Sequence, residues 1–291
     1  MRVGQDLLNL VRGGLIGVAE VIPGVSGGTV ALVVGIYERV VTSASTIVSG
    51  LLHLVRLQFS LAVKDFARVD WRFLLVMLVG MFSAVLGGAA LLEPLLANEP
   101  ELTRALFAGL IVASLWVPFK LAGKWAPWHF GLALLAALAA FFLTNLPRAQ
   151  EVEPLWWQII GAAALAVCAL ALPGVSGSFL LLAMGFYAPT IAAVNDRDLG
   201  YLGLFLLGAI VGLGAFSKIL EFVLARYRTI TMVVMTGLMV GSLRALWPWQ
   251  ESNGAMTVPN TGVASALMVF AVGLVIVFAL ILAEARLTRK D

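Results

Sequence analysis

Charge is scarce in this sequence. Asp, Glu, Lys and Arg make up 12% of the 291 residues against 61% hydrophobic ones, and the mean hydropathy is +1.01. A water-soluble domain of this size would have too little polar surface to cover itself, so the composition excludes one. Cysteine is nearly absent, and Cys168 alone cannot close an internal disulfide. Histidine occurs twice, as His53 and His129, each in a segment that reads as loop or interface. A His/Cys metal cluster is therefore excluded, and neither a metal nor a cofactor is expected. The basic residues form no stripe with interleaved aromatics, so a net charge of +3 does not point to nucleic acid.

What the chain does have is apolar runs of roughly 17 to 25 residues from end to end, the length that crosses about 30 Å of hydrocarbon as a helix. The fold class is an all-α integral membrane protein. Ten apolar segments fall near 6–22, 28–50, 72–95, 103–121, 129–146, 156–172, 178–195, 200–225, 229–247 and 263–285. The first holds Asp6, Asn9, Arg12 and Glu20 with no small-residue cleavage site after it, so it reads as part of the mature protein rather than a signal peptide. The segments divide into two sets of five. At a constant offset of 150, Pro23 matches Pro173, Gly24 Gly174, Ser26 Ser176, Gly27 Gly177, Gly35 Gly185 and Tyr37 Tyr187. Further on the offset is 128, pairing Gly80 with Gly208, Glu93 with Glu221, Gly109 with Gly237 and Ser114 with Ser242. An extra stretch near HLVRLQFSLAVKDFARVD belongs to the first set alone. Residues 1–150 and 151–291 thus read as two membrane repeats of one integrated transmembrane domain.

Each repeat crosses the membrane an odd number of times if its broken pair of segments is a re-entrant hairpin or two full spans, and the repeats are then inverted. A single broken span, giving four crossings, would make them parallel, and the basic residues decide for inversion. One side then carries Arg2, Arg56, Lys64, Arg68, Arg72, Lys120, Lys124, Arg226, Arg228, Arg286, Arg289 and Lys290. The other carries Arg104, Arg148, Arg197 and Arg244 among many acids, which predicts both termini to be cytoplasmic.

Two interruptions organise the chemistry, PGVSGG at residues 23–28 and PGVSGS at 173–178. Proline lacks an N–H and disfavours helix for the residue before it, while glycine permits a tight turn. A helix should stop at each motif and another begin. Ser26 and Ser176 are suited to cap the second helix, leaving the amides of its first turn free for an anion. Irregular backbone at membrane depth survives where it is buried in protein or lines a wet cavity. The predicted phosphate-binding set is Ser26, Gly27, Gly28 and Thr29 with Ser176, Gly177 and Ser178. The competing reading is close helix packing, the usual work of small residues in membrane helices and the reading that fits Gly13, Gly14, Gly17, Gly87 and Gly88. Recurrence of the break in both repeats favours binding.

Ionisable residues inside apolar runs are further candidates. Glu20, with Leu170 in its place in the second repeat, suits a proton-coupling site, a snorkelling acid or a partner for Arg12. Lys218 fits either a phosphate contact or a bridge to Glu221, and Arg244 either a phosphate contact or a snorkelling cation. Glu93 and Glu221 lie near segment ends and read as interfacial.

The run GLIGVAEVIPGVSGGTVALVVGIYERVV, with the second PGVSGS, resembles the bacterial polyprenyl-phosphate transporter family, long labelled a domain of unknown function and linked to undecaprenyl-phosphate translocation. The resemblance extends over the chain in length and repeat pattern and rests mainly on PGVSGGT. It implies a multi-pass protein of the bacterial inner (cytoplasmic) membrane that is not an enzyme. Such a protein flips undecaprenyl phosphate from the outer to the inner leaflet, recycling the lipid carrier for peptidoglycan and other envelope polymers. Its partners would be the polyprenyl-phosphate lipid and membrane lipids, with a homodimer left open. The second motif departs from the first at Ser178 and Phe179, where Gly28 and Thr29 stand. The alternatives are a small-anion or ion-coupled secondary transporter and an undecaprenyl-diphosphate phosphatase. Against the phosphatase, its family's PGxSRS-like segment has an arginine where Gly27 and Gly177 stand, and no acid cluster adjoins a histidine here.

Overall fold

The computed structural model describes residues 2–21, 26–144, 154–251, 255–259 and 262–287, and the side chains of all of these except 2–3, 21, 88–97 and 283–287. Among the described residues every regular element is a helix. In chain order they are α1 (Arg2–Val21), α2 (Gly27–Val33), α3 (Tyr37–Val55), α4 (Phe59–Arg68), α5 (Trp71–Asn98), α6 (Pro100–Ser114), α7 (Trp116–Leu121) and α8 (Pro127–Leu143). Then follow α9 (Trp156–Ala171), α10 (Gly177–Ala183), α11 (Tyr187–Asn195), α12 (Leu199–Arg226), α13 (Arg228–Ser242), a 3₁₀ turn (Leu243–Leu246) and α14 (Val263–Leu287).

Over their described residues all ten apolar segments fall mainly on helices, and α4 accounts for the stretch present once. Two segments are sharply bent within themselves. The run 28–50 divides into α2 and α3, bent by 119°, and 178–195 into α10 and α11, bent by 108°. The hinges are Gly35 and Gly185, at φ +71° and +79°, a left-handed conformation that glycine adopts without penalty. With seven residues apiece, α2 and α10 reach about 10 Å, a third of the hydrocarbon thickness. Four described stretches are long and apolar enough to span a membrane, and seven if each of three bent pairs counts as one span. The chain is a multi-pass membrane protein.

Four helix pairs make the most extensive contacts: α1 with α5, α9 with α12, α6 with α14 and α8 with α13. Backbones touch where glycines lie. A Cβ on Gly80 would stand 2.0 Å from the Leu10 carbonyl oxygen, and one on Gly208 would stand 2.3 Å from that of Ile160. Gly80 matches Gly208, and Leu10 matches Ile160, in the sequence repeat, so the same contact is built twice. Gly109 against Phe270 and Gly237 against Ala133 repeat a second contact, at 2.1 and 2.2 Å. The α6–α14 and α8–α13 pairs each join a helix before residue 150 to one after it, so the two halves exchange their last helices. Gly13 and Gly17 pack against α5 as expected, whereas Gly87 faces open space.

Ion pairs gather at one end of the bundle. Arg72 holds Asp6, Arg39 holds Asp70, and Arg228 holds Glu38 at 2.7 Å, tying the starts of α1, α3, α5 and α13 together. At the far end of α13, Arg244 donates to the Thr144 carbonyl at 2.8 Å and Arg104 to the Pro248 carbonyl at 3.2 Å.

Candidate functional site at the two PGVSG breaks

Helix α9 ends at Leu172, held extended (φ −88°, ψ 126°) by the Pro173 ring that follows. Gly174 then turns at φ +85°, with its α-carbon so close to α13 that a Cβ would lie 2.8 Å from the Met239 backbone. In the first motif Pro23, Gly24 and Val25 lie outside the described residues, and the described part begins at Ser26.

The two motifs meet directly. The Gly174 amide donates to the Thr29 hydroxyl at 3.1 Å, the Ser26 hydroxyl donates to the Leu172 carbonyl at 3.1 Å, and the Tyr37 hydroxyl donates to the Ala171 carbonyl at 2.8 Å. The last carbonyls of a helix have no partner within it, and an apolar bundle offers no water. Ser26 and Tyr37, 146 and 134 positions away, supply the missing donors across the break, while Thr29 accepts from the Gly174 amide. Ser26 and Thr29 are accordingly buried, at 1% and 2% exposure.

These bonds correct the expected capping of α2. Ser26 stands at its N-cap position without capping it, because its hydroxyl serves α9. The Gly27 amide is not free either: it donates to the Glu20 carboxylate at 3.0 Å. A Cβ on Gly27 would meet that oxygen at 2.1 Å, so the contact requires glycine. Arg12, the alternative partner for Glu20, donates to Asn9 at 3.3 Å. The Thr29 amide closes a turn onto the Ser26 carbonyl at 2.9 Å.

The second motif is arranged as expected, and it is open. Ser176 caps α10, its hydroxyl accepting from the Phe179 amide at 3.4 Å and lying 2.9 Å from the Ser178 hydroxyl. Ser178 is exposed and Ser176 half-buried. Among the described residues the amides of Gly177 and Ser178 have no hydrogen-bond acceptor. Gly177 also lets α10 approach α9, since a Cβ there would lie 2.5 Å from the Ala166 carbonyl. A seven-residue helix aligns few peptide dipoles, so an anion here would rely on hydroxyls and amides rather than on a macrodipole.

Lys218 and Arg244 do not join the motifs. Lys218 donates to the Ser49 hydroxyl on α3, and Glu221 accepts from Ser45 one turn away, so these two ionic side chains of α12 are held by serines rather than by each other. Glu93 lies outside the described side chains. Arg244 closes the C-terminus of α8 through Thr144 and sits 5.5 Å over the Phe141 ring. Thr144 does border the recess at Ser176, together with Gly174, Phe179 and Ser242. Sequence reasoning missed Tyr37 as a site residue, although its recurrence as Tyr187 was a signal, and missed the Ser45 and Ser49 ladder. Among the described residues no group of His, Cys, Asp and Glu could hold a metal.

Residues 16–264 match the model of the VCA0040-like, undecaprenyl phosphate translocase-like family. A protein of Vibrio cholerae named polyprenyl-phosphate transporter is 36% identical over 246 residues, covering 84% of this chain and 79% of the relative. A protein of the same name from Staphylococcus aureus is 28% identical over 290 residues, covering 92% and 94%. No solved structure matches the chain significantly.

Proposed function

We propose, from the premise that this chain belongs to the undecaprenyl phosphate translocase-like family, that it carries a polyprenyl phosphate across the membrane with the phosphate passing the crossing of the two PGVSG breaks. The substrate is undecaprenyl phosphate and the direction outer to inner leaflet, in a bacterial cytoplasmic membrane with both chain termini cytoplasmic. The observation that carries this reading is the crossing itself: irregular, hydroxyl-bearing backbone from both halves joined by the Gly174–Thr29 bond inside an otherwise apolar bundle. A lipid carrier needs such a polar passage for its head alone, since the tail can stay in hydrocarbon.

In this conformation one motif is closed and the other open. Ser176, Gly177 and Ser178 meet the phosphate first. Ser26, Gly28 and Thr29 become available when the bonds to α9 and Gly174 part, and Gly27 when Glu20 leaves its amide. Glu20 is then the coupling group, while Lys218 and Arg244 hold helices together. The short α2 and α10 form re-entrant hairpins with α1 and α9, and the halves are inverted repeats that exchange roles as the site changes sides.

The test is binding to purified protein, by native mass spectrometry, of undecaprenyl phosphate against undecaprenyl diphosphate, phosphatidylglycerol and inorganic phosphate. Preference for the monophosphate lipid, lost in Ser176→Ala/Ser178→Ala, is the expected result. Equal binding of inorganic phosphate would favour a small-anion transporter, and hydrolysis of the diphosphate would favour an enzyme.

A further inference from the structure

Between α1, α2, α6 and α14 lies a cavity of about 250 Å³, lined by Val18, Ala19, Thr29, Val33, Ser114 and Ile276 among others. We propose that this groove seats the isoprenoid chain next to the phosphate and gives the protein its preference for prenyl over straight-chain lipids. The inference rests on the polyprenyl-phosphate reading above.

Four observations support it. The groove has little to offer a polar ligand: its two hydroxyls are already used, Thr29 accepting from Gly174 at 3.1 Å and Ser114 donating to the Leu110 carbonyl at 2.6 Å. It is continuous with the motif, because Thr29 belongs to both. It also reaches the lipid-facing surface, where Val18 and Ile276 are 37% and 43% exposed. An amphiphile with its phosphate at the crossing would therefore lay the first part of its tail here. Finally, size fits a segment rather than a whole tail. At about 30 Å³ for each water-sized group the groove holds roughly eight carbons, between one and two five-carbon isoprene units.

The corresponding place in the other half is filled. There Phe179 stands for Thr29 and Ser242 for Ser114. The shared Gly109–Phe270 and Gly237–Ala133 contacts bring Ala140 and Leu143 into the places of Val277 and Leu280. The recess that remains, about 10 Å³, is a small fraction of the groove's volume. Phe179 lines that recess where Thr29 lines the groove, so among the described residues the second motif has no matching seat at this place. Selectivity would come from shape. A tail arriving from the bilayer leaves surroundings as apolar as the groove, so burial alone gains little and the fit of methyl branches decides.

The test narrows the groove from its outer wall. Ile276→Trp sits on a lipid-facing helix surface and leaves the motif intact, and Val18→Trp does the same from α1. Val275→Trp, on the neighbouring position at 66% exposure, is the control. Affinities for undecaprenyl phosphate, hexadecyl phosphate and phosphatidylglycerol are measured for each. Wild type and Val275→Trp should prefer the prenyl lipid. Both groove variants should lose that preference, with undecaprenyl phosphate weakened on the order of tenfold and hexadecyl phosphate little changed. Unchanged prenyl preference in both variants overturns the groove alone, as does an equal loss for all three lipids, which would make it a general lipid seat. Failure of the wild type to bind undecaprenyl phosphate removes the reading beneath it as well.

Discussion

Tyr37 and Tyr187 occupy matching places after their hinges, yet one is 4% exposed and bonded to the Ala171 carbonyl and the other is 41% exposed. Removing a donor from a buried carbonyl costs about 1–3 kcal/mol. Tyr37→Phe is therefore expected to lower the melting temperature in detergent, and Tyr187→Phe to leave it unmoved. At Gly27 the Cβ of an alanine would meet the Glu20 carboxylate at 2.1 Å, so Gly27→Ala must displace that side chain. Its cost to stability should shrink in a Glu20→Ala background, a non-additivity that chemical denaturation of the four proteins of the cycle would show. The residues of the site were legible as a set, since PGVSG recurs at one offset, but their employment was not. Whether the Ser26 hydroxyl caps its own helix or serves Leu172 depends on a carbonyl 146 positions away, and no local pattern encodes that choice.

At the scale of elements, the two hinges set how far each short helix reaches. Gly35 and Gly185 hold left-handed backbone, where a side chain costs roughly 1–2 kcal/mol. Gly35→Ala and Gly185→Ala should each destabilise the protein by about that much, whereas Gly131→Ala, a helical position with nothing within 4 Å of the added methyl, should be neutral or slightly stabilising. The ten apolar segments were legible because uninterrupted hydropathy at membrane-spanning length is a strong signal. The hinges inside two of them were not, because a single glycine in an apolar run reads equally as a packing residue. Gly80, which lies against Leu10, and Gly35, which turns the chain, differ in backbone conformation and not in their neighbours' hydrophobicity.

At the scale of the molecule, the two halves are bound to each other at several places besides the α3–α12 serine contacts. They exchange their last helices through α6–α14 and α8–α13, they interlock through Ser26, Thr29 and Tyr37, and they meet at one end through Glu38 and Arg228. The end pair is the contact most open to control. In a Cys168→Ala background, a reducible cross-linker joining Glu38→Cys to Arg228→Cys is expected to stop transport, with recovery on reduction; transport unchanged by the cross-link would show that the halves do not part at that end. The asymmetry at the crossing, with Ser26 sealed and Ser178 exposed, underlies the proposal that a phosphate is first met at the second motif. The most direct test is leaflet-to-leaflet transfer of undecaprenyl phosphate in proteoliposomes carrying the wild type or Ser176→Ala/Ser178→Ala. Transfer well above that of empty liposomes, lost in the folded double variant, is the predicted result. Equal transfer by both proteins, or none by the wild type, would contradict a phosphate path through the crossing.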